Sequence, residues 1–355
     1  MPTGTIRVLI ADDSALARGL LRAFLESEDG IEVIGEAVNG REAVALVREL
    51  KPDLVTMDLE MPVMGGLEAI GEIMHSKAVP ILVVSSVADA HNALEAVAQG
   101  ALEVVAKPDY SPAAAAEFVA KVRMLAGVSV ITRLRPKSAS PAAVPVAAAS
   151  PAPVTKSAPA TAGQPVFAIA CSTGGPQALA QILPALPADF PAPILVAQHI
   201  SDGFAGGMVD WLNSLSPLPV KLGAEGDAIL PGIIYVSPSE RHLAVTPNHR
   251  LTLVERGPDD IYRPSCDVLL KSVARVFASR AVGIILTGMG SDGVAGLAAI
   301  REAGGQTYGQ DEASSVIYGM NRVAVERGAT QRTLPLGDIA GAMAAAARGF
   351  GGGAA

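Results

Sequence analysis

The sequence predicts two α/β domains joined by a linker, and three observations carry that expectation. The chain has 355 residues, about twice a typical domain. Short β-branched runs alternate with amphipathic segments, first up to about residue 125 and again after residue 165. Between them, Pro136 to Pro165 is dominated by Ala and Pro and has no acidic residue. Its prolines recur every two to six residues, remove backbone donors and fix φ, so a buried helix fails there.

In the first half, strands are expected at Ile6 to Ala11, Ile31 to Ala37, Leu54 to Met57, Pro80 to Ser85 and Glu103 to Ala106. Helical spacing covers Ala15 to Glu28, Arg41 to Leu50 and Leu67 to Met74. Strict alternation implies a doubly wound (βα)5 domain with a parallel sheet. In the second half, strands are expected at Val166 to Ala170, Ile194 to Gln198 and Val282 to Leu286, with a β-rich stretch over 221–255. That predicts an α/β domain with a mainly parallel sheet and a β-rich insertion. The chain then divides into 1–125, a linker at 126–165, a second domain at 166–346 and a disordered tail at 347–355.

Half of the residues are apolar, 17% are charged and 4% aromatic, with a net charge of -8. Cores must therefore be built from Ala, Val, Ile, Leu and Met. The acidic balance argues against nucleic-acid binding, which needs a basic surface. Two cysteines, Cys171 and Cys266, are too few for a disulfide framework. Met1 to Ile10 lacks the features of a signal peptide. No apolar run reaches the roughly 18 residues of a membrane span. A cytoplasmic protein without membrane insertion is expected. The five histidines form no HExxH or Cys/His cluster, which argues against zinc.

In the first half, carboxylates mark strand ends. Asp12 and Asp13 follow the first strand and Asp58 the third. Ligands of open parallel sheets bind beyond the carboxyl ends of strands, and the first and third strands are commonly neighbours. Three clustered carboxylates suit a hard cation such as Mg²⁺. Ser85 and Lys107 follow two further strands. A hydroxyl, an ammonium and Mg²⁺ around one carboxylate would stabilise an acyl phosphate. Singly, each Asp is a turn or cap residue and Lys107-Pro108 a turn. The ordered set carries the argument.

That set is Ala11-Asp12-Asp13-Ser14, Met57-Asp58 through Gly66, Ser85 and Ala106-Lys107-Pro108. It resembles a response-regulator receiver domain over about the first 125 residues. The resemblance implies phosphorylation of Asp58 by a histidine kinase. It implies Mg²⁺ held by Asp13 and Asp58 with help from Asp12, Ser85 as the switch hydroxyl, and Lys107 on the phosphate. Gly65 stands where the family more often has Asp.

In the second half, Ser172 sits at a strand-to-helix turn, Cys171-Ser172-Thr173-Gly174-Gly175-Pro176. This follows the logic of a nucleophile elbow without its Gly-x-Ser-x-Gly motif. Gln198-His199 ends a second strand, and a lone His there is more often structural. A third runs into Thr287-Gly288-Met289-Gly290-Ser291-Asp292-Gly293. That Gly-rich turn matches neither Walker A nor GxGxxG. If the three strands are neighbours, Ser172, His199 and Asp292 converge as nucleophile, base and orienter. Adjacent residues at a strand end point opposite ways, so Cys171 and Ser172 cannot both face His199.

These motifs, with Tyr262-Arg263-Pro264-Ser265, Gln310-Asp311-Glu312 and Tyr318-Gly319-Met320, resemble the catalytic domain of chemotaxis protein-glutamate methylesterases. The receiver-linker-catalytic order matches too. The resemblance selects Ser172 over Cys171 and implies a Ser172/His199/Asp292 triad. It implies Thr173 and Met289 as substrate or oxyanion positions, and no cofactor for the ester chemistry. It further implies a histidine kinase of a chemosensory array and methyl-accepting chemotaxis receptors as partners. The substrates implied are receptor glutamyl methyl esters and glutamines. Ile200 to Phe204 and Asn321 depart from the family's usual prolines.

Overall fold

A computed structural model describes residues 4–86, 90–128, 130, 164–257 and 260–351. The first unit runs β1 (Ile6–Ala11), α1 (Ala15–Glu26), β2 (Ile31–Ala37), α2 (Gly40–Leu50), β3 (Leu54–Met57), α3 (Gly66–Ser76), β4 (Ile81–Ser85), α4 (Ala90–Gln99), β5 (Glu103–Ala106) and α5 (Pro112–Leu125). Its five strands form one parallel sheet in the order β2-β1-β3-β4-β5. The helices begin where side chains satisfy orphan N–H groups. Ser14, Asn39 and Ser111 accept from the backbones of Ala17, Glu42 and Ala114.

The second unit begins with β6 (Val166–Cys171), α6 (Gly175–Ile182), β7 (Ile194–Gln198) and α7 (Ala205–Leu215). Four short strands follow: β8 (Val220–Leu222), β9 (Ile234–Val236), β10 (His242–Val245) and β11 (Leu251–Val254). Then come α8 (Cys266–Phe277), β12 (Ala281–Ile285), α9 (Val294–Glu302), β13 (Gln306–Gln310), α10 (Met320–Glu326), β14 (Arg332–Leu334) and α11 (Leu336–Gly351). Seven strands make a parallel sheet in the order β14-β13-β12-β6-β7-β9-β8. The stretch expected as a β-rich insertion therefore divides. β8 and β9 extend the sheet, and β10 and β11 alone form an antiparallel hairpin.

The tail expected from 347 is corrected. α11 continues to Gly351, and Ala346 and Ala347 are buried. An Ala-rich run is a strong helix former, and here it has a core to lie on. Residues 352–355, and the linker over 131–163, lie outside the described residues.

β6 is buried along its whole length, as a strand covered on both faces must be. The two units pack together, with α4 against α7 and α6. One apolar cluster runs from Leu94 and Val97 of α4 to Met208 and Leu212 of α7.

The turn after β3 folds tightly over its own strand. A Cβ on Gly66 would fall 2.0 Å from the Asp58 carbonyl oxygen. Gly65 has φ -70°, a Cβ there would lie 3.3 Å from the Leu59 carbonyl oxygen, and it leaves α3 without a side-chain cap. Gly66→Ala is therefore expected to destabilise the first unit by about 1–3 kcal/mol through forced backbone movement. Urea unfolding would reveal this as a lowered midpoint, and an unchanged midpoint would contradict the close approach.

Candidate functional site

The ends of β1 and β3 lie side by side, with Ala11 paired to Met57. Asp12, Asp13 and Asp58 consequently present carboxylate oxygens within 4.8 Å of one another. Asp12 and Asp58 are buried, while Asp13 is exposed. Lys107 reaches in from the end of β5. Its Nζ is hydrogen-bonded to Asp58 Oδ2 at 3.0 Å and ion-paired with Asp12 Oδ2 at 2.8 Å. That buried Asp12 oxygen has no partner besides the Lys107 ammonium among the described residues. Ser85 Oγ, wholly buried at the end of β4, has no hydrogen-bond partner among the described residues.

Burial pushes the Asp58 carboxyl above its ordinary range, aided by the charge of Asp12 and opposed by Lys107. For Lys107 burial opposes the charge, but the two carboxylates outweigh it and raise the ammonium's pKa. One cation facing three carboxylates leaves an excess of negative charge in an all-oxygen site. Such a donor set, with an orphaned buried oxygen, fits a hard divalent ion such as Mg²⁺.

The second cluster forms at the rim where β12, β6 and β7 end side by side. Backbone hydrogen bonds continue past the strands. His199 N–H donates to the Cys171 carbonyl and Ser172 N–H to the Thr287 carbonyl, each at 3.0 Å. Gly174 takes φ +80° and Gly288 φ +157°, conformations that only glycine adopts freely. A Cβ on Gly288 would lie 2.5 Å from that of Ser172, so the two turns meet only because this residue is glycine.

His199 Nε2 lies 2.8 Å from Asp292 Oδ2. Its ring stacks on Tyr262, with centroids 5.1 Å apart at 19°. Asp292 also accepts from the N–H groups of Cys266 and Asp267 and from Ser265 Oγ. Burial alone would raise its pKa, but the hydrogen bond and charge of His199 and those backbone donors hold it below the usual Asp value. Ser172 makes no side-chain hydrogen bond among the described residues. It opens, with Thr173 and His199, onto a cleft of ≈ 690 Å³. Met289, on the same cleft, is 55% exposed.

The cleft has a second wall, from the first unit. Thr173 Oγ1 donates to Glu103 Oε2 at 2.5 Å, and Lys121 pairs with the same carboxylate. Gln177 Nε2 donates to the Ala101 carbonyl at 2.8 Å. Sequence reasoning missed Glu103, Tyr262 and Cys266, whose Sγ lies 3.4 Å from His199 Nε2. Glu103 gave no signal at all, being one acid in a strand. Tyr262 opens a motif already noted, Tyr262-Arg263-Pro264-Ser265, and Cys266 follows it. Both thiols are fully buried, and burial pushes both far up in pKa.

The depressed Asp292 carboxyl makes a linkage prediction. A group whose folded pKa is lowered adds stability above its unfolded pKa and loses it as pH falls through the folded value. The stability gap between the native chain and Asp292→Asn is expected to narrow as pH falls below about 4, where Asp292 takes up its proton. Urea midpoints between about pH 5 and 2 would check it, and a gap that does not narrow there would contradict the bond network.

Comparison with known proteins follows this geometry closely. Residues 167–343 match the CheB methylesterase family and residues 8–117 the response regulator receiver domain. A protein-glutamate methylesterase/protein-glutamine glutaminase of Paramagnetospirillum magneticum is 57% identical over 341 residues, covering 96% of each chain. One of Myxococcus xanthus is 40% identical, covering 99% of this chain and 100% of its own. The crystal structure of the Thermotoga maritima CheB methylesterase catalytic domain superposes with a TM-score of 0.50 at 33% identity. It covers 52% of this chain and 99% of that one. The chain thus belongs to the protein-glutamate methylesterase/protein-glutamine glutaminase family, hydrolases that couple a response-regulator receiver domain to a CheB methylesterase domain.

Proposed function

We propose that residues 166–346 hydrolyse glutamyl methyl esters, and deamidate glutamines, on methyl-accepting chemotaxis receptors. Ser172 is the nucleophile, His199 the base and Asp292 the orienter. One observation carries this reading: a buried carboxylate holds an imidazole at the strand rim that also bears a serine lining the cleft, just before a helix N-terminus.

The chemistry follows from the contacts. Asp292 engages His199 Nε2 and so leaves Nδ1 for Ser172. As Ser172 Oγ bonds to the ester carbon, its proton passes to His199. The new imidazolium is stabilised by Asp292 and by the stacked Tyr262 ring. The tetrahedral oxygen needs donors. The N–H groups of Thr173 and Met289, two cleft residues, have no partner among the described residues and take this role in the reading. The bond to the methoxy oxygen breaks, and His199 protonates it to methanol. Water, giving a proton to His199, then attacks the acyl carbon and releases Ser172 and a glutamate. For glutamine the leaving group is ammonia. Serine–base bonds are often loose without substrate, in keeping with an unpaired Ser172 here.

Residues 1–125 are the control element in this reading. A histidine kinase of a chemosensory array phosphorylates Asp58. Asp12 and Asp13, with Asp58, would hold Mg²⁺, which supplies positive charge against the carboxylates and phosphoryl oxygens. Lys107 pairs with the phosphoryl group and Ser85 supplies a hydroxyl. In the unphosphorylated state Glu103 occupies Thr173, and Val316 and Ile317, next to the Thr287 turn, pack against the receiver core. Phosphorylation releases these contacts by shifting the population of docked units. No helix among the described residues is long and apolar enough to cross a membrane, and the reading places the chain in the cytoplasm.

Methanol release from methylated receptor measures the chemistry. Ser172→Ala is expected to lose at least about 10³-fold in rate. Cys171→Ala is expected to stay near wild type, and the reverse pattern would transfer the role to the thiol.

Gating has its own test. Acetyl phosphate with Mg²⁺ is expected to raise the wild-type rate by about 5- to 150-fold. Glu103→Ala should raise the unphosphorylated rate and shrink that response. Identical rates in all four conditions would remove Glu103 and the switch together.

A further inference from the structure

The orientation of Asp292 depends on where α8 begins. Its Oδ2 accepts from Cys266 N–H at 2.6 Å, and its Oδ1 from Asp267 N–H at 2.9 Å and Ser265 Oγ at 3.0 Å. All three donors belong to the cap and first turn of that helix. Ser265 is the cap, and its own backbone N–H donates to His242 Nδ1 at 2.8 Å.

His242 opens β10 and is 2% exposed. Its other nitrogen, Nε2, lies 2.9 Å from Asp260 Oδ2. Gly257 N–H donates to that same oxygen at 2.6 Å, which fixes the carboxylate. An N–H donor at Nδ1 requires a lone pair there. The ring proton is therefore assigned to Nε2, directed at Asp260. A second imidazole–carboxylate pair thus stands behind the first, joined to it through a single backbone amide and the helix cap. Neither His242, Asp260 nor Ser265 lines the substrate cleft.

We infer that His242, oriented by Asp260, is a positioning residue for the ester hydrolysis: it holds Ser265 and the first turn of α8 so that Asp292 keeps His199 in its reacting orientation. The inference rests on the assignment of Asp292 and His199 made above. Misplacing a catalytic group by about 1 Å costs on the order of 100-fold in rate. A carboxylate whose donors other than His199 all hang on one helix start is exposed to that loss. Because His242 stands off the cleft, its removal should act on turnover and not on substrate affinity.

Full-length His242→Leu and His242→Asn separate this role from simple packing. Asparagine offers an amide oxygen near the Nδ1 position and can keep the Ser265 N–H bond, whereas leucine cannot. In methanol release from methylated receptor, His242→Leu is expected to lose about 10- to 100-fold in kcat with little change in KM. His242→Asn should recover most of that loss. The low-field proton NMR signal of the His199–Asp292 hydrogen bond should shift or vanish in the leucine variant and persist in the asparagine one. Wild-type kcat with an unmoved signal in His242→Leu overturns the inference. A loss that asparagine does not restore, in two equally stable variants, overturns it as well. Should His242→Leu not fold, Asp260→Ala at the exposed end of the pair replaces it, and an unchanged kcat and signal there are equally fatal. Failure of the underlying triad looks different, because His199→Ala would then retain turnover.

Discussion

The parallel ladder β12-β6-β7 is the constraint on which the rim of Ser172, His199 and Asp292 depends. Three strands far apart in the chain end at one edge because they are adjacent and run the same way. The ladder does not stop where the strands do. Leu286 N–H donates to the Ala170 carbonyl, His199 N–H to Cys171 and Ser172 N–H to Thr287. Backbone bonds therefore stitch the three site turns to each other before any side chain takes part. This matters because a reactive constellation must be held to fractions of an ångström, and a rigid scaffold does so better than mobile loops. The glycines serve the same end. At Gly288 the turn approaches β6 so closely that any Cβ would strike Ser172.

The same rule builds the acidic site of the first unit, again at the carboxyl edge of a parallel sheet. What links the two edges is β5. Glu103 at its start meets Thr173, and Lys107 just past its end meets Asp58. A four-residue strand is a stiff rod of about 13 Å. A charge change at Asp58 that redirects Lys107 acts on the strand that carries Glu103. In the proposed control scheme β5 joins the residue paired with the phosphoacceptor to the residue bonded to the neighbour of the nucleophile.

Much of this was legible in the residues themselves. The bounds of β1, β2, β3, β5 and β7 follow from β-branched runs closed by turn residues, a local signal. The meeting of Asp12, Asp13 and Asp58 followed from the usual neighbourhood of first and third strands. His199 and Asp292 were named as partners from strand-end positions, and the two groups are in contact. Other features had no local trace. Whether β8 and β9 stand apart or extend the sheet depends on register with β7, which residue types do not encode. Glu103 on Thr173 depends on how two units pack. Tyr262 against His199 and His242 against Ser265 depend on the fold of the loop before α8. Glycines near 349 signal an early end to the last helix, but the alanine run has a core to lie on, and buried Ala346 and Ala347 carry α11 to Gly351.

Burial, more than proximity, decides which group near His199 can react. Cys266 Sγ comes within 3.4 Å of His199 Nε2, and Cys171 adjoins Ser172. A thiol attacks as its thiolate, and both thiols are sealed from water with their ionisation pushed out of reach. Cys266 also lies on the Asp292 side of the ring, where Nε2 is already engaged. Ser172 alone of the three opens to the cleft. The same reasoning bears on metal binding. His199, Cys266 and Asp292 lie close enough to share an ion. Yet the Asp292 oxygens already accept from His199, Cys266, Asp267 and Ser265. An ion would have to break that set and ionise a buried thiol, so the contacts that hold Asp292 against His199 oppose its use as a metal ligand.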